Sequence, residues 1–205
     1  MLEHKTTITR VDFIDYKAFS QMTVRLQHMN ILVGPNNCGK STILDAFRTL
    51  DTAMRRARNK SPERIIGPEG RTLGYPLVSE SLPMSIENVH TDYEEIPSLV
   101  NFRFSNSSLL TLYFPEDGGA YLIPEGNEGA IIYARDFNRA FPTRISVVPV
   151  LGPVEHEEKI RTPDTVRNGL ATHRASRHFR NYWRYFGEDF DQFAALIKRT
   201  WPGME

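Results

Sequence analysis

Nine consecutive residues have the types and the spacing of a loop that holds phosphate groups. They are Gly34, Pro35, Asn36, Asn37, Cys38, Gly39, Lys40, Ser41 and Thr42, and they match G-x-x-x-x-G-K-[ST] at every fixed position. Glycines at both ends let backbone N–H groups curl around an anion, and a following helix adds its positive N-terminal end. We predict that all nine bind ATP, that Lys40 contacts the β- and γ-phosphates and serves catalysis, and that the Ser41 hydroxyl is a Mg²⁺ ligand.

Such a loop needs a strand before it and a helix after it. Residues 29–33 form a short apolar run that ends at Gly34, which is typical of a buried parallel strand. After the loop, apolar residues recur at helical spacing and predict an amphipathic helix that opens at the loop. Those residues are Ile43, Leu44, Phe47, Leu50 and Met54. The alternative is an ordinary turn in which Lys40 is a solvated lysine at a helix start.

The composition is that of a soluble globular protein with one substantial core. The chain has 205 residues, 40% hydrophobic and 24% charged. Its apolar runs are far shorter than the roughly 20 residues that cross a bilayer, and the N-terminus lacks the apolar stretch of a signal peptide. We therefore expect a cytoplasmic protein with no membrane partner. Cys38 is the single cysteine, which excludes an internal disulfide and a cysteine-rich metal site.

Charge is balanced over the whole chain but unevenly distributed along it. Residues 1–60 carry ten Lys and Arg against five Asp and Glu, residues 61–159 carry seven against fifteen, and residues 160–205 carry eight against five. The net charges are therefore +5, −8 and +3, which argues against a uniformly basic nucleic-acid module. Two basic surfaces separated by an acidic middle segment are one interpretation, and a simple scatter of surface charges is the other.

The remaining pattern predicts strands first and helices last. Two half-buried strands are expected in residues 8–19 and 22–26, joined by a turn near residues 17–21. Residues 60–83 are rich in Gly, Pro, Ser and charge, and we predict an insertion or mobile loop, which short pieces of structure could interrupt. An antiparallel meander is predicted, with strands at 100–104, 109–114, 120–124 and 130–134, and a further strand is predicted at 144–151. Residues 160–205 are predicted to be a helical segment, with helices at 162–169, 171–186 and 188–200.

This order of elements resembles the N-terminal lobe of ABC-type ATPase heads, with the closest likeness to the RecF, structural-maintenance-of-chromosomes and OLD-nuclease branch. Three stretches carry it: Tyr16-Lys17-Ala18-Phe19 at the end of the first hairpin; the loop followed by Ile43-Leu44-Asp45-Ala46-Phe47; and residues 147–155 at the place of the strand that leads into the Q-loop. The resemblance implies an α/β P-loop NTPase fold with a mixed sheet, an antiparallel meander and C-terminal helices. It also places Lys17 beside the nucleotide.

Several parts of such a head are missing. The Q-loop position has no glutamine. The local candidates are Glu155, His156, Glu157 and Glu158. Either a carboxylate of this segment takes part in the metal shell, or the segment is a solvated acidic turn. No stretch supplies the Walker B strand with its Asp-Glu end, the signature sequence or the switch histidine. We therefore expect residues 1–205 to be a single, incomplete ATP-binding domain whose second lobe lies beyond Glu205.

The resemblance also implies partners. Two ABC-type heads sandwich two nucleotides, so a homodimer or higher assembly is expected, with a role in DNA repair, DNA maintenance or defence against phage. His173, Arg177, Arg180 and Arg184 are spaced to share one helix face, which would contact DNA phosphates, the acidic middle segment or a partner subunit. A non-catalytic module that binds a partner when nucleotide is present is the alternative function. A stand-alone kinase or GTPase fits less well, because the GTPase motif N-K-x-D is absent and a long antiparallel meander is unlike a compact kinase.

Overall fold

The computed structural model describes residues 6–78, 89, 96–148, 156–170, 175–201 and 203. The chain forms two compact units, Met1–Ser146 and Val147–Glu205. The predicted phosphate loop lies in the first unit, and the predicted helical segment lies in the second.

A seven-stranded sheet is the framework of the first unit. Its strands are β1 (Ile8–Tyr16), β2 (Phe19–Arg25), β3 (Glu63–Gly67), β4 (Gly70–Pro76), β5 (Ser98–Phe104), β6 (Leu109–Phe114) and β7 (Tyr121–Glu125), in the order β2-β1-β5-β6-β7-β4-β3. The first hairpin and the first three strands of the meander are confirmed. Every strand pairing in the described ranges is antiparallel, so the mixed sheet that was predicted is not seen there.

Helix α1 (Lys40–Ala57) shares one hydrophobic core with this sheet. Most of its apolar stripe is buried, as its helical spacing predicts, and Leu50 and Ala53 are fully enclosed, but Leu44 is 41% exposed. The ring of Phe47 meets that of Phe102 on β5 edge to face, with centroids 5.4 Å apart. Burial of this face therefore holds α1, and the loop that opens it, against the sheet.

The predicted loop at residues 60–83 contains the β3–β4 hairpin in its described part, and residues 79–83 lie outside the described ranges. Gly67 and Gly70 are paired across its turn, and Gly70 has a φ of 109°, a conformation that glycine adopts without strain. The glycines that suggest a broken segment therefore close a hairpin. This hairpin joins the main sheet where β4 pairs with β7.

The last two predicted strands of this unit are not observed. Residues 130–132 have no regular structure, and the chain then enters a helix, α2 (Ala134–Ala140), that the sequence analysis did not predict. The Asp136 carboxylate accepts hydrogen bonds from the N–H groups of Tyr133, at 2.9 Å, and Ile132, at 3.3 Å, which starts the helix at this point. Residues 144–148 are also irregular, because no described strand pairs with them, and residues 149–151 lie outside the described ranges.

The second unit is helical. It contains α3 (Pro163–Gly169), α4 (Phe179–Tyr185) and α5 (Phe190–Thr200), with 3₁₀ turns at Ala175–His178 and Gly187–Asp189. Helix α3 begins as predicted, with Pro163 in its first turn and the Thr162 hydroxyl accepting from the Thr165 N–H. The helix predicted at 171–186 is confirmed at Phe179–Tyr185, but a 3₁₀ turn occupies Ala175–His178 in place of an α-helix, and residues 171–174 lie outside the described ranges. None of the described helices is both long enough and apolar enough to span a bilayer.

Candidate nucleotide-binding site

The segment that leads into the loop differs from its prediction. Residues 29–33 form no strand, and their side chains face solvent, with Ile31 75% exposed and Val33 87% exposed. A parallel strand is buried only when neighbouring strands take up its backbone hydrogen bonds and helices cover its faces. No strand in the described ranges pairs with this segment, so the predicted buried parallel strand is wrong.

The loop itself turns sharply and opens directly into α1. Asn37 and Gly39 have φ angles of 63° and 86°, both in the left-handed region. The first helical bond runs from the Ile43 N–H to the Gly39 carbonyl, at 3.1 Å, so the predicted helix start is confirmed. No side chain caps this end, and the first turn has no acidic residue. The positive end of an 18-residue helix is therefore available to an anion.

Phe19, at the start of β2, supports the loop from below. Its ring packs so closely on Gly39 that a Cβ atom added to this glycine would lie 2.2 Å from the ring carbon Cζ. The same ring packs on Phe13 of β1, with centroids 5.3 Å apart. Only glycine fits this position. Phe19 ends the hairpin motif in the sequence, but no sequence pattern predicts this contact, which joins two residues 20 positions apart in the chain.

Lys40 is folded over the loop. Its ammonium donates hydrogen bonds to the carbonyl oxygens of Gly34, at 2.8 Å, and Pro35, at 2.5 Å, and lies 3.6 Å from the Cys38 sulfur. Residues 34–38 and Ser41 are exposed, and Thr42 is half-buried. The loop therefore brings a cationic side chain, the helix N-terminus and the Ser41 hydroxyl to one solvent-accessible place. These are the groups that a nucleotide phosphate and its Mg²⁺ ion require.

Lys17 lies beside the first turns of α1 in a salt bridge. Its ammonium is 2.8 Å from the Asp45 carboxylate, which also accepts from Arg48 at 3.1 Å, and only 18% of the Lys17 side chain is exposed. Burial, followed by the nearby charge of Asp45, raises the pKa of Tyr16 well above its usual range, so this ring stays neutral. A contact between Lys17 and nucleotide would need the bridge to Asp45 to be shared or broken, and it stays a prediction.

One of the acidic residues near the predicted Q-loop has a structural role. The Glu158 carboxylate accepts hydrogen bonds from the N–H groups of Arg180 and Asn181, each at 2.8 Å, and caps α4. Burial by itself would raise the pKa of Glu158, but these hydrogen bonds outweigh it and the pKa lies below its usual value. His156 and Glu157 are exposed, and Glu155 lies outside the described residues. In the described ranges, no three His, Cys, Asp or Glu side chains come together as a metal site.

The predicted basic stripe does not follow one helix. Arg177 lies in the 3₁₀ turn, whereas Arg180 and Arg184 lie on α4, and His173 is outside the described residues. Arg180 and Arg184 are four residues apart on α4, which is the spacing of one helix face, and Arg177, Arg180 and Arg184 are all exposed. The interruption at the 3₁₀ turn was not predicted, and a contact of these arginines with DNA stays a prediction.

The sheet, the helix that opens at the loop and the loop geometry are together consistent with a P-loop NTPase-like fold. The model of one protein family, the AAA ATPase domain, matches residues 7–166. The chain belongs to this family. Membership suggests ATP binding and hydrolysis in general, and it implies the use of ATP and usually of Mg²⁺. No curated protein matches the chain.

Proposed function

We propose that residues 34–42 bind ATP with Mg²⁺, and that the chain is the ATP-binding lobe of an ATPase of the RecF, structural-maintenance-of-chromosomes and OLD branch. The observation that carries this proposal is the geometry at Gly39. This glycine is held in a left-handed turn against the Phe19 ring, at the uncapped start of α1, with the Lys40 ammonium folded over the same loop.

The roles of the side chains follow from this geometry. The phosphates would lie over the first turn of α1, where the N–H groups and the Lys40 ammonium offset charge that develops on the γ-phosphate. Ser41 is the residue that would hold Mg²⁺, which polarises the phosphoryl oxygens when bound. These groups bind phosphate but do not position an attacking water. Hydrolysis by this chain without further elements should therefore be slow or absent.

The exposed apolar residues 29–33 support an incomplete nucleotide-binding domain. Ile31 and Val33 would be buried if parallel strands of a second lobe lay beside them. In this proposal, the second lobe supplies the missing catalytic motifs and a second head closes over the nucleotide. A role in DNA repair, DNA maintenance or defence against phage rests on the family resemblance. The candidate DNA contacts are the exposed arginines 177, 180 and 184 on the 3₁₀ turn and α4.

A non-catalytic, nucleotide-dependent interaction module is the alternative. It is favoured by the position of the exposed residues 29–33 directly before the loop, where bound nucleotide could change the surface offered to a partner. Turnover of ATP by the completed protein would favour the ATPase. Nucleotide-dependent dimerisation with no turnover would favour the module.

The Lys40→Ala variant tests the site. Charge-assisted hydrogen bonds contribute about 1.5–3 kcal/mol, and 1.4 kcal/mol is tenfold in affinity, so binding of a fluorescent ATP analogue should weaken at least about tenfold. Lys198→Ala, which removes an exposed lysine on α5, is the matched control and should bind as the parent chain does. Unchanged affinity in Lys40→Ala, with an unchanged thermal melt, would refute the site.

A further inference from the structure

The side chains that line a pocket at the C-terminal end of α1 carry a net positive charge. Its volume is about 680 Å³. The charged residues that line it are Asp51, Arg55, Arg58 and Arg144, so three guanidinium groups face one carboxylate and the net charge is +2. The C-terminal carbonyls of α1 offset only about half a charge. The pocket therefore has an unmet requirement for an anion.

Two of the three arginines are fixed by the fold. Arg55 donates to both oxygens of Asp51, at 3.0 and 2.8 Å, so its charge is neutralised. Arg58 donates instead to three neutral oxygens: Oδ1 of Asn138 at 2.9 Å and the carbonyl oxygens of Phe141 at 2.9 Å and Thr143 at 2.6 Å. These bonds orient the guanidinium without neutralising it. An arginine has five N–H donors, so two of those on Arg58 remain for another acceptor.

Arg144 brings the second uncompensated charge. It follows directly after Thr143, whose carbonyl Arg58 holds, and its side chain is exposed. Arg58 and Arg144 line the same pocket, and burial and then the charge of Arg144 lower the pKa of Arg58. In the described parts of the chain, no carboxylate forms an ion pair with Arg144. An anion placed between the two guanidinium groups would relieve their repulsion.

We propose that Arg58 and Arg144 form a second binding site, which takes a phosphate group. Guanidinium forks match phosphate oxygens in pairs, and a polyphosphate, or two neighbouring phosphodiesters of a nucleic-acid strand, carries enough negative charge to match the net charge of the pocket. Arg58 follows Lys40 by 18 residues, which is about 27 Å along a helix that rises 1.5 Å per residue. The site is therefore distinct from the nucleotide loop. The phosphate comes either from the backbone of a nucleic-acid strand or from a free polyphosphate.

The test uses the full chain in the Lys40→Ala background, which removes phosphate binding at the loop. Two probes separate the two sources: inorganic tripolyphosphate, followed by calorimetry, and a fluorescent single-stranded oligonucleotide, followed by anisotropy at low and moderate salt. Each is measured with Arg144→Gln, Arg144→Lys and the matched control Arg71→Gln, which removes an exposed arginine on β4. Arg144 is exposed, so thermal melts should stay unchanged.

For a probe that uses the pocket, Arg144→Gln should weaken binding about tenfold and Arg144→Lys about threefold, because lysine keeps the charge but loses the fork. Arg71→Gln should leave both affinities unchanged. Dependence on Arg144 with the oligonucleotide identifies a nucleic-acid backbone, and dependence only with tripolyphosphate identifies a free polyphosphate. Equal affinity of Arg144→Gln and its parent for both probes, or equal losses in Arg71→Gln, would overturn the proposal. Neither result bears on nucleotide binding at Lys40.

Discussion

Two apolar runs of similar length differ in burial in this protein. In β6, Leu110, Leu112 and Phe114 are completely buried, whereas in residues 29–33 Ile31 and Val33 are among the most exposed apolar side chains. Strand β6 has β5 and β7 as antiparallel neighbours, and short turns bring both to it. No described strand pairs with the other run. Apolar composition therefore gives a segment the capacity to be buried, and pairing decides whether that burial happens.

The largest effect should come from the same substitution in the two runs. Leu112→Ala should lower the free energy of unfolding by about 2–5 kcal/mol, because it leaves a cavity in a closed core. Leu32→Ala, in the exposed run, should cost less than about 1 kcal/mol. Urea denaturation measures both. A cost for Leu32→Ala as large as that for Leu112→Ala would mean that residues 29–33 are covered in solution, and its dependence on protein concentration would show whether a second copy covers them.

A smaller effect should show whether the first hairpin or the segment before the loop positions the loop. Phe19→Ala removes the ring that holds Gly39 in its left-handed turn, and the affinity for a fluorescent ATP analogue should fall about tenfold, or 1.4 kcal/mol. Val33→Ser, directly before the loop, should change the affinity less than about twofold. The reverse order of effects would show that the preceding segment, rather than the first hairpin, positions the loop. Thermal melts of both variants check that the sheet is intact.

The smallest effect should come from a cross-strand contact that only a paired strand can make. The Asp12 carboxylate on β1 accepts from the Thr23 hydroxyl of β2 at 2.6 Å and from Arg10 at 2.7 Å, and it lies 3.6 Å from Arg103 of β5. Burial by itself would raise the pKa of Asp12, but these contacts outweigh it, and the pKa lies below its usual value of 3.8. The stabilisation is therefore present above pH 3.8 and is lost as the pH falls through the lowered pKa.

Asp12→Asn should remove this part of the acid dependence. The difference should stay below about 1 kcal/mol, because the arginine partners are partly exposed. Unfolding measured between pH 3 and pH 6 tests it, with Glu69→Gln at the exposed turn of the β3–β4 hairpin as the control. Identical acid profiles for Asp12→Asn and the parent chain would contradict the expected role of this carboxylate.

The parts of the fold that could be predicted depend on neighbours close in sequence. The β1–β2 hairpin, strands β5 to β7 and the start of α3 are each defined by local alternation, by turn residues or by a proline in the first helical turn. The β3–β4 hairpin was not predicted, because Gly67 and Gly70 read as breakers until their pairing is known. The exposure of residues 29–33 was not predicted either, because burial of this run depends on neighbouring strands and not on the sequence of the run itself.

The candidate site divides in the same way. The loop from Gly34 to Thr42 is visible in the sequence because its chemistry requires particular residues at fixed spacing. The support from Phe19 depends on how β2 lies against the start of α1, which no short pattern encodes. Glu158 has the residue type of a metal ligand, but its oxygens cap a helix, and only the contacts of α4 reveal this.

The folded position of Lys40 has a consequence for ligand selection. Because its ammonium already holds the carbonyl oxygens of Gly34 and Pro35, a ligand gains only the difference between the bonds it makes and the bonds it replaces. A carbonyl oxygen bears a partial charge, whereas a nucleoside triphosphate bears several full ones. We expect this exchange of partners to favour binding of a triphosphate strongly and binding of a single phosphate or sulfate ion only weakly. The loop would then discriminate by the amount of charge a ligand delivers, before the shape of its base is read.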